Sequence, residues 1–151
     1  MQQVMNRVRR DQRGAAAVEF ALIAGVLVML IFGMLQFGLV FFEIQNLRAA
    51  TREGARIGAV GALEQEIRDR VQSASYGAMP ANNGALSVTP AVCPEAPGID
   101  DTIRVEIDVN PSNPTLPARL RDIFTLDIPF MPPISIDTTV FGEFRCERGP
   151  A

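Results

Sequence analysis

The chain contains no histidine, no lysine and no tryptophan, a single tyrosine and only two cysteines. Without histidine it lacks the commonest acid–base catalyst and the commonest metal ligand. Two isolated cysteines do not make a zinc site. The motifs of phosphate loops, dinucleotide folds and nucleophile elbows are also missing. The acidic pairs Asp100–Asp101 and Glu64–Glu66 lack the spacing of a metal loop and read as solvated. These absences predict a chain that is not an enzyme, with no cofactor and no metal.

Positive charge is scarce in most of the chain. All fourteen basic residues are arginine, set against seventeen acids. Residues 1–14 hold four of them (Arg7, Arg9, Arg10 and Arg13) against Asp11, a local charge of +3. The remainder carries ten arginines against sixteen acids, or −6. An acidic body of this kind argues against nucleic acid as a partner, which needs a basic face.

What the sequence does have is an apolar run, Ala21 to Phe42, "ALIAGVLVMLIFGMLQFGLVFF", in which Gln36 is the one strongly polar side chain. As a helix it spans about 33 Å, close to a bilayer core of roughly 30 Å. A secretory signal peptide has a shorter apolar region followed by a small-residue cleavage site, and a soluble core helix is rarely apolar on every side. The run therefore predicts a single membrane helix in contact with lipid. Arginines lie on both sides, but Arg10 and Arg13 stand nearer the run than Arg48 does. The positive-inside tendency thus favours a cytoplasmic N-terminus and an outer C-terminal part.

Ala17, Ala21, Gly25 and Gly33 lie on one face of that helix. Such small-residue stripes permit close helix packing, although Ala and Gly are common in membrane helices generally. Glu19 is the anomaly. A carboxylate at bilayer depth costs roughly 2.5–3.5 kcal/mol on insertion scales, and less near an interface. By itself it reads as an interfacial glutamate in the first turns of a helix, favoured by the helix dipole.

Beyond the run, helix-forming residues extend from Glu43 to about Ser75. Leu47, Ala50, Gly54, Ile57, Gly58 and Gly61 make a small-residue face, with Arg48, Arg52 and Arg56 on another side. Glu53 and Arg56 are spaced to pair. Gly77–Gly84 reads as a linker or turn. "TIRVEIDV", Thr102–Val109, alternates cleanly as a half-buried strand. Leu86–Val92 and Ser135–Phe144 are weaker strands, "PSNPTLP" and "MPP" (Met131–Pro133) are connectors, and "PARLRDIF" is a short helix with Pro117 at its start. The predicted organisation is residues 1–14 as a basic cytoplasmic leader, 15–42 as a transmembrane helix, 43–76 as an amphipathic helix and 77–151 as a small β-rich outer domain. The fold class is α+β, a long N-terminal helix packed on a small antiparallel sheet. Cys93 and Cys146 flank that sheet. In an oxidising outer compartment they either pair or remain two free thiols. A bridge closing so long a loop would add roughly 3–4 kcal/mol by the chain-entropy argument.

The head of the chain resembles the processing site of type IV prepilins and pseudopilins: a basic leader, Gly14 followed by Ala15, then Glu19 and Phe20 entering an apolar helix. A longer stretch resembles the TadE-like family of tight-adherence pilus systems. The resemblance rests on "RGAAAVEFAL" (Arg13–Leu22), the pair Phe37–Gly38, and "ATREGAR" (Ala50–Arg56), with Thr51 where alanine is usual. It covers about the first 60 residues well and the remainder in outline. It implies a pilin-like plan, a minor pilin or pseudopilin required for pilus assembly in the bacterial inner membrane. It further implies cleavage between Gly14 and Ala15 by a membrane prepilin peptidase. The freed amine of Ala15 would be cationic at neutral pH and would pair with Glu19 of a neighbouring subunit. The implied partners are that peptidase, other pilins and pseudopilins, the inner-membrane assembly platform and membrane lipid. The motif Arg52, Glu53, Gly54, Ala55, Arg56 marks the family without assigning chemistry; by residue type it is a contact surface for other subunits or for lipid headgroups, or simply a solvated amphipathic face. The alternative to a processed pilin is a single-span accessory protein of a pilus or secretion complex that keeps its leader. A third reading is a secreted domain or an enzyme of unrecognised type.

Overall fold

The computed structural model describes the backbone of residues 2–126 and 132–147, with side chains from residue 14 onward. Arg7, Arg9, Arg10, Asp11 and Arg13 of the leader fall outside the described side chains, and Met131 of the "MPP" connector falls outside the described residues. The chain divides into two units, Met1–Phe37 and Gly38–Ala151.

Helix α1, Gln2–Ala59, supplies all of the first unit's described structure and the opening of the second. No proline interrupts it, and within lipid a helix satisfies every backbone N–H and C=O internally. In the first unit every side chain from Gly14 to Phe37 is exposed or half-exposed. Among the described residues, this is the one helix long and apolar enough to cross a membrane, with none of its apolar window buried.

In the second unit α1 buries Val40, Glu43, Leu47, Ala50, Thr51, Gly54, Ala55, Gly58 and Ala59, a stripe at three- and four-residue spacing. The single amphipathic helix expected over 43–76 is two helices. Gly61 adopts φ +95°, a left-handed conformation open to glycine, and the chain turns over residues 60–63. Helix α2, Glu64–Ala74, restarts at once. The Glu66 carboxylate accepts the N–H of Leu63 at 3.0 Å, which satisfies a donor at the new N-terminus. At the other end of α2, Gly77 N–H donates to Gln72 C=O (2.9 Å) and Tyr76 N–H to Ser73 C=O (3.2 Å). These two bonds make a Schellman ending with Tyr76 at the left-handed position, φ 52°.

The sheet has order β1-β2-β5, with β1 Leu86–Thr89, β2 Thr102–Val109 and β5 Thr138–Arg145, antiparallel throughout. β1 stops at Thr89 rather than at Val92, because Pro90 has no N–H to give the ladder. Ile103, Val105, Ile107 and Val109 are each fully buried, whereas Asp108 is exposed and Arg104 and Glu106 are half-buried, as alternation requires. Helix α3, Ala118–Phe124, follows Pro117 and buries Leu120 and Phe124. A second small sheet pairs β3, Thr125–Leu126, with β4, Ile134–Ser135.

Where α1 meets β5 there is no room for a side chain. A Cβ on Gly142 would lie 2.6 Å from the backbone of Thr51 and Arg52. A Cβ on Gly54 would lie 2.5 Å from Val71 Cγ2, and one on Gly58 2.7 Å from Ile103 Cδ1. At the far end of the helix, Glu147 N–H donates to Ala59 C=O at 2.8 Å. Cys93 and Cys146, both buried, are joined in a disulfide with Cα atoms 5.8 Å apart.

Two substitutions test this packing. Gly142→Ala presses on backbone, which cannot rotate away, and should cost about 1–3 kcal/mol; denaturant unfolding of the full chain in detergent reads it. Gly25→Ala, where nothing lies within 4 Å, serves as the clash-free control and should lose nothing, with a gain of at most about 1 kcal/mol from helix propensity. Equal stability of the two variants would refute the close approach. Tyr76→Gly relieves a left-handed L-residue and should gain about 1 kcal/mol, read by the same unfolding; a loss would show that the left-handed backbone is not the dominant cost at this exposed position.

Candidate functional site

The residues singled out by sequence fall into two groups, one in each unit. In the first unit Gly14, Ala15, Ala17, Glu19, Phe20, Ala21 and Gly25 are all exposed on α1, and Gly33 is half-exposed. No atom lies within 4 Å of a Cβ placed on Gly14, Gly25 or Gly33, so the small-residue face is open. Phe20 is 73% exposed, with Leu22 and Ile23 at 69% each. Glu19 is not in the first turns of its helix, because α1 begins at Gln2 and has no acid in its first turn. The dipole explanation therefore does not serve the full-length chain, since the effect fades beyond one turn. If residues 1–14 were removed, Glu19 would stand one turn from a new helix start.

In the second unit the motif splits by face. Thr51, Gly54 and Ala55 are buried against the sheet and α2, while Arg52 and Arg56 are exposed. The hydroxyl of Thr51 donates to Arg48 C=O (3.1 Å), so this polar side chain is satisfied within its own helix. The small residues of the motif thus pack within the chain, and its arginines lie on a solvated face.

Glu53 links the two helices. Its carboxylate accepts from Arg56 (Nε 3.1 Å, Nη2 3.0 Å) on α1 and from Arg70 (Nη2 2.6 Å, Nε 3.1 Å) on α2. Eleven residues past Phe42, it lies outside the apolar span. The hydrogen bonds from Arg56, then those from Arg70, hold its pKa down at about 2, against an ordinary 4.5. Arg68 ties α2 to the sheet in a similar way, with Nη1 donating to Leu86 C=O (2.9 Å) while Nε donates to Glu64 (2.8 Å).

Two residues at the near end of this unit gave little sign in the sequence. Glu43 is 2% exposed, and its Oε1 has no hydrogen-bond partner among the described residues. Its place on the buried stripe with Val40 and Leu47 is visible in the helical period; its burial depends on what packs there. Tyr76 projects from the end of α2 at 88% exposure.

The depressed acidity of Glu53 sets a pH window. A carboxylate with a lowered folded pKa stabilises the fold above its ordinary pKa and loses that contribution as pH falls toward the folded value. Glu53→Gln should therefore lower the unfolding midpoint at neutral pH, and the deficit should close between pH 4.5 and about 2. Thermal unfolding of both proteins across that range checks it; a deficit independent of pH would mean that the two arginines do not act on the charge.

Neither the curated proteins nor the solved structures compared with the chain gave a match. A family model did. Residues 14–56, from the glycine before the apolar run to the last arginine of the motif, match the model described as TadE-like protein, so this segment of the chain is similar to that family.

Proposed function

We propose that the protein is a minor pilin or pseudopilin, anchored by α1 in the bacterial inner membrane and required for assembly of a tight-adherence pilus. The observation that carries this reading is a coincidence of features within residues 14–56: the TadE-like match, an apolar helix exposed on every side, and a carboxylate at Glu19 near its head. The N-terminus faces the cytoplasm and the disulfide-bonded domain faces the oxidising outer side. Prepilin peptidase cuts between Gly14 and Ala15. The new amine of Ala15 then pairs with Glu19 of a neighbouring pilin. The open face of Ala17, Ala21, Gly25 and Gly33 packs on adjacent helices or the assembly platform. Function is assembly by helix packing and charge pairing, not catalysis.

One observation favours the runner-up, a single-span accessory protein that keeps its leader. Gly14 lies within α1, so the scissile bond must leave the helix before a peptidase can take it in extended form. Glycine lowers the cost of that unwinding.

Intact-mass analysis of the protein from native membranes separates the two readings. A mature chain beginning at Ala15 supports processing; retention of Met1 assigns the accessory role. Glu19→Gln should insert normally, since it removes charge from lipid, but it should give fewer crosslinked pilus complexes. Unchanged complexes would refute the pairing.

A further inference from the structure

We propose that Tyr76 is an interfacial anchor, seating the near end of the outer domain in the headgroup layer of the bilayer that α1 crosses. The proposal rests on the membrane reading above and concerns a residue outside the TadE-like segment.

Helix α2 runs back along α1. Its early residue Ile67 approaches Gly58, and Val71 approaches Gly54. At its end, Ser75 C=O stands 3.5 Å from Asn46 Nδ2, a long contact that nonetheless fixes which turn of α1 lies alongside. Tyr76, two residues past the end of α2, therefore stands at the end of this helix that faces the apolar run. Asn46 lies about 6 Å beyond Phe42 along the helix, and the headgroup layer is about 5–8 Å deep on each side of the core. The packed domain reaches this level, since Val40, inside the run, is 5% exposed and Glu43 is 2% exposed. Phe41 and Phe42, by contrast, are left open.

The residue type fits the place. Tyrosine carries an apolar ring and a polar tip, the combination enriched where hydrocarbon meets water. The surroundings favour lipid over a protein partner: the shallow concavity at Tyr76 is otherwise lined by Asp69, Gln72, Ser73 and Gly77. Among the described residues no second large apolar side chain lines it to form the apolar centre that a protein interface uses. The backbone adds an independent sign. The left-handed position ending a Schellman motif is normally given to glycine, yet it holds the chain's single tyrosine with the ring fully presented.

The chain has no tryptophan and one tyrosine, so its emission can be assigned without ambiguity. The full chain in phosphatidylcholine–phosphatidylglycerol vesicles would be read in two forms, wild type by tyrosine emission and Tyr76→Trp by indole emission. Each is challenged with phospholipids brominated near the top of the acyl chain and with aqueous iodide. Leu30→Trp, near the middle of the apolar run, is challenged instead with phospholipids brominated near the end of the acyl chain and reports the span itself. Seating predicts loss of Tyr76 emission with brominated lipid, a blue-shifted Tyr76→Trp spectrum and protection from iodide. Iodide quenching and a water-like spectrum, with Leu30→Trp still quenched by bromine, would overturn the anchor and leave the span standing. A blue shift without bromine quenching would place the ring against protein and overturn the anchor equally. If bromine fails to quench Leu30→Trp, the membrane reading fails and the anchor fails with it.

Discussion

The second unit depends on backbone meeting backbone where α1 crosses β5. The space between Gly142 and the peptide of Thr51–Arg52 is too small for a methyl group, and Gly54 and Gly58 admit Val71 and Ile103 to similar range. Close approach gives many dispersion contacts per residue and leaves no cavity to fill. It also fixes the angle at which the sheet lies on the helix, because a larger side chain at Gly142 would meet the backbone of Thr51 and Arg52 and force the layers apart. The fully buried face of β2, Ile103 to Val109, is the consequence.

A helix used in this way has two duties that conflict in sequence. Up to about Phe42 it must be apolar all round; beyond that it must be apolar on one face and charged on the other. The motif at residues 52–56 meets the second requirement in five residues. Gly54 and Ala55 go inward, Arg52 and Arg56 go outward, and Glu53, at the boundary, reaches across to Arg70 on α2. Arg70 lies beyond the TadE-like segment, so the motif's carboxylate is held partly by a residue that the family match does not include.

Much of this was legible in advance where a single local rule governs. The apolar run follows from bilayer thickness, β2 from strict alternation, and the start of α3 from the fixed φ of Pro117. The small-residue face at Leu47, Ala50, Gly54 and Gly58 was visible in the helical period. Its meaning was not, because a small residue does not announce what approaches it; Val71, Ile103 and Gly142 are distant in sequence. The break at Gly61 was missed because glycine in a helical pattern signals lower propensity, while its left-handed φ is decided by where α2 must return. The two-residue strands β3 and β4 are too short to carry a period. The exposed site residues from Gly14 to Gly33 are the reverse case: their pattern is plain in the sequence, and in this one chain they touch nothing that could assign their role.

The stretch of α1 from Leu47 to Ala59 is a structural member of the β domain and unfolds with it. Amide hydrogen exchange on the full chain in lipid measures this directly. Leu47–Ala59 and Thr102–Val109 should exchange with the same opening free energy and respond together to Gly142→Ala. Exchange of 47–59 by independent fraying, with β2 still protected, would contradict it.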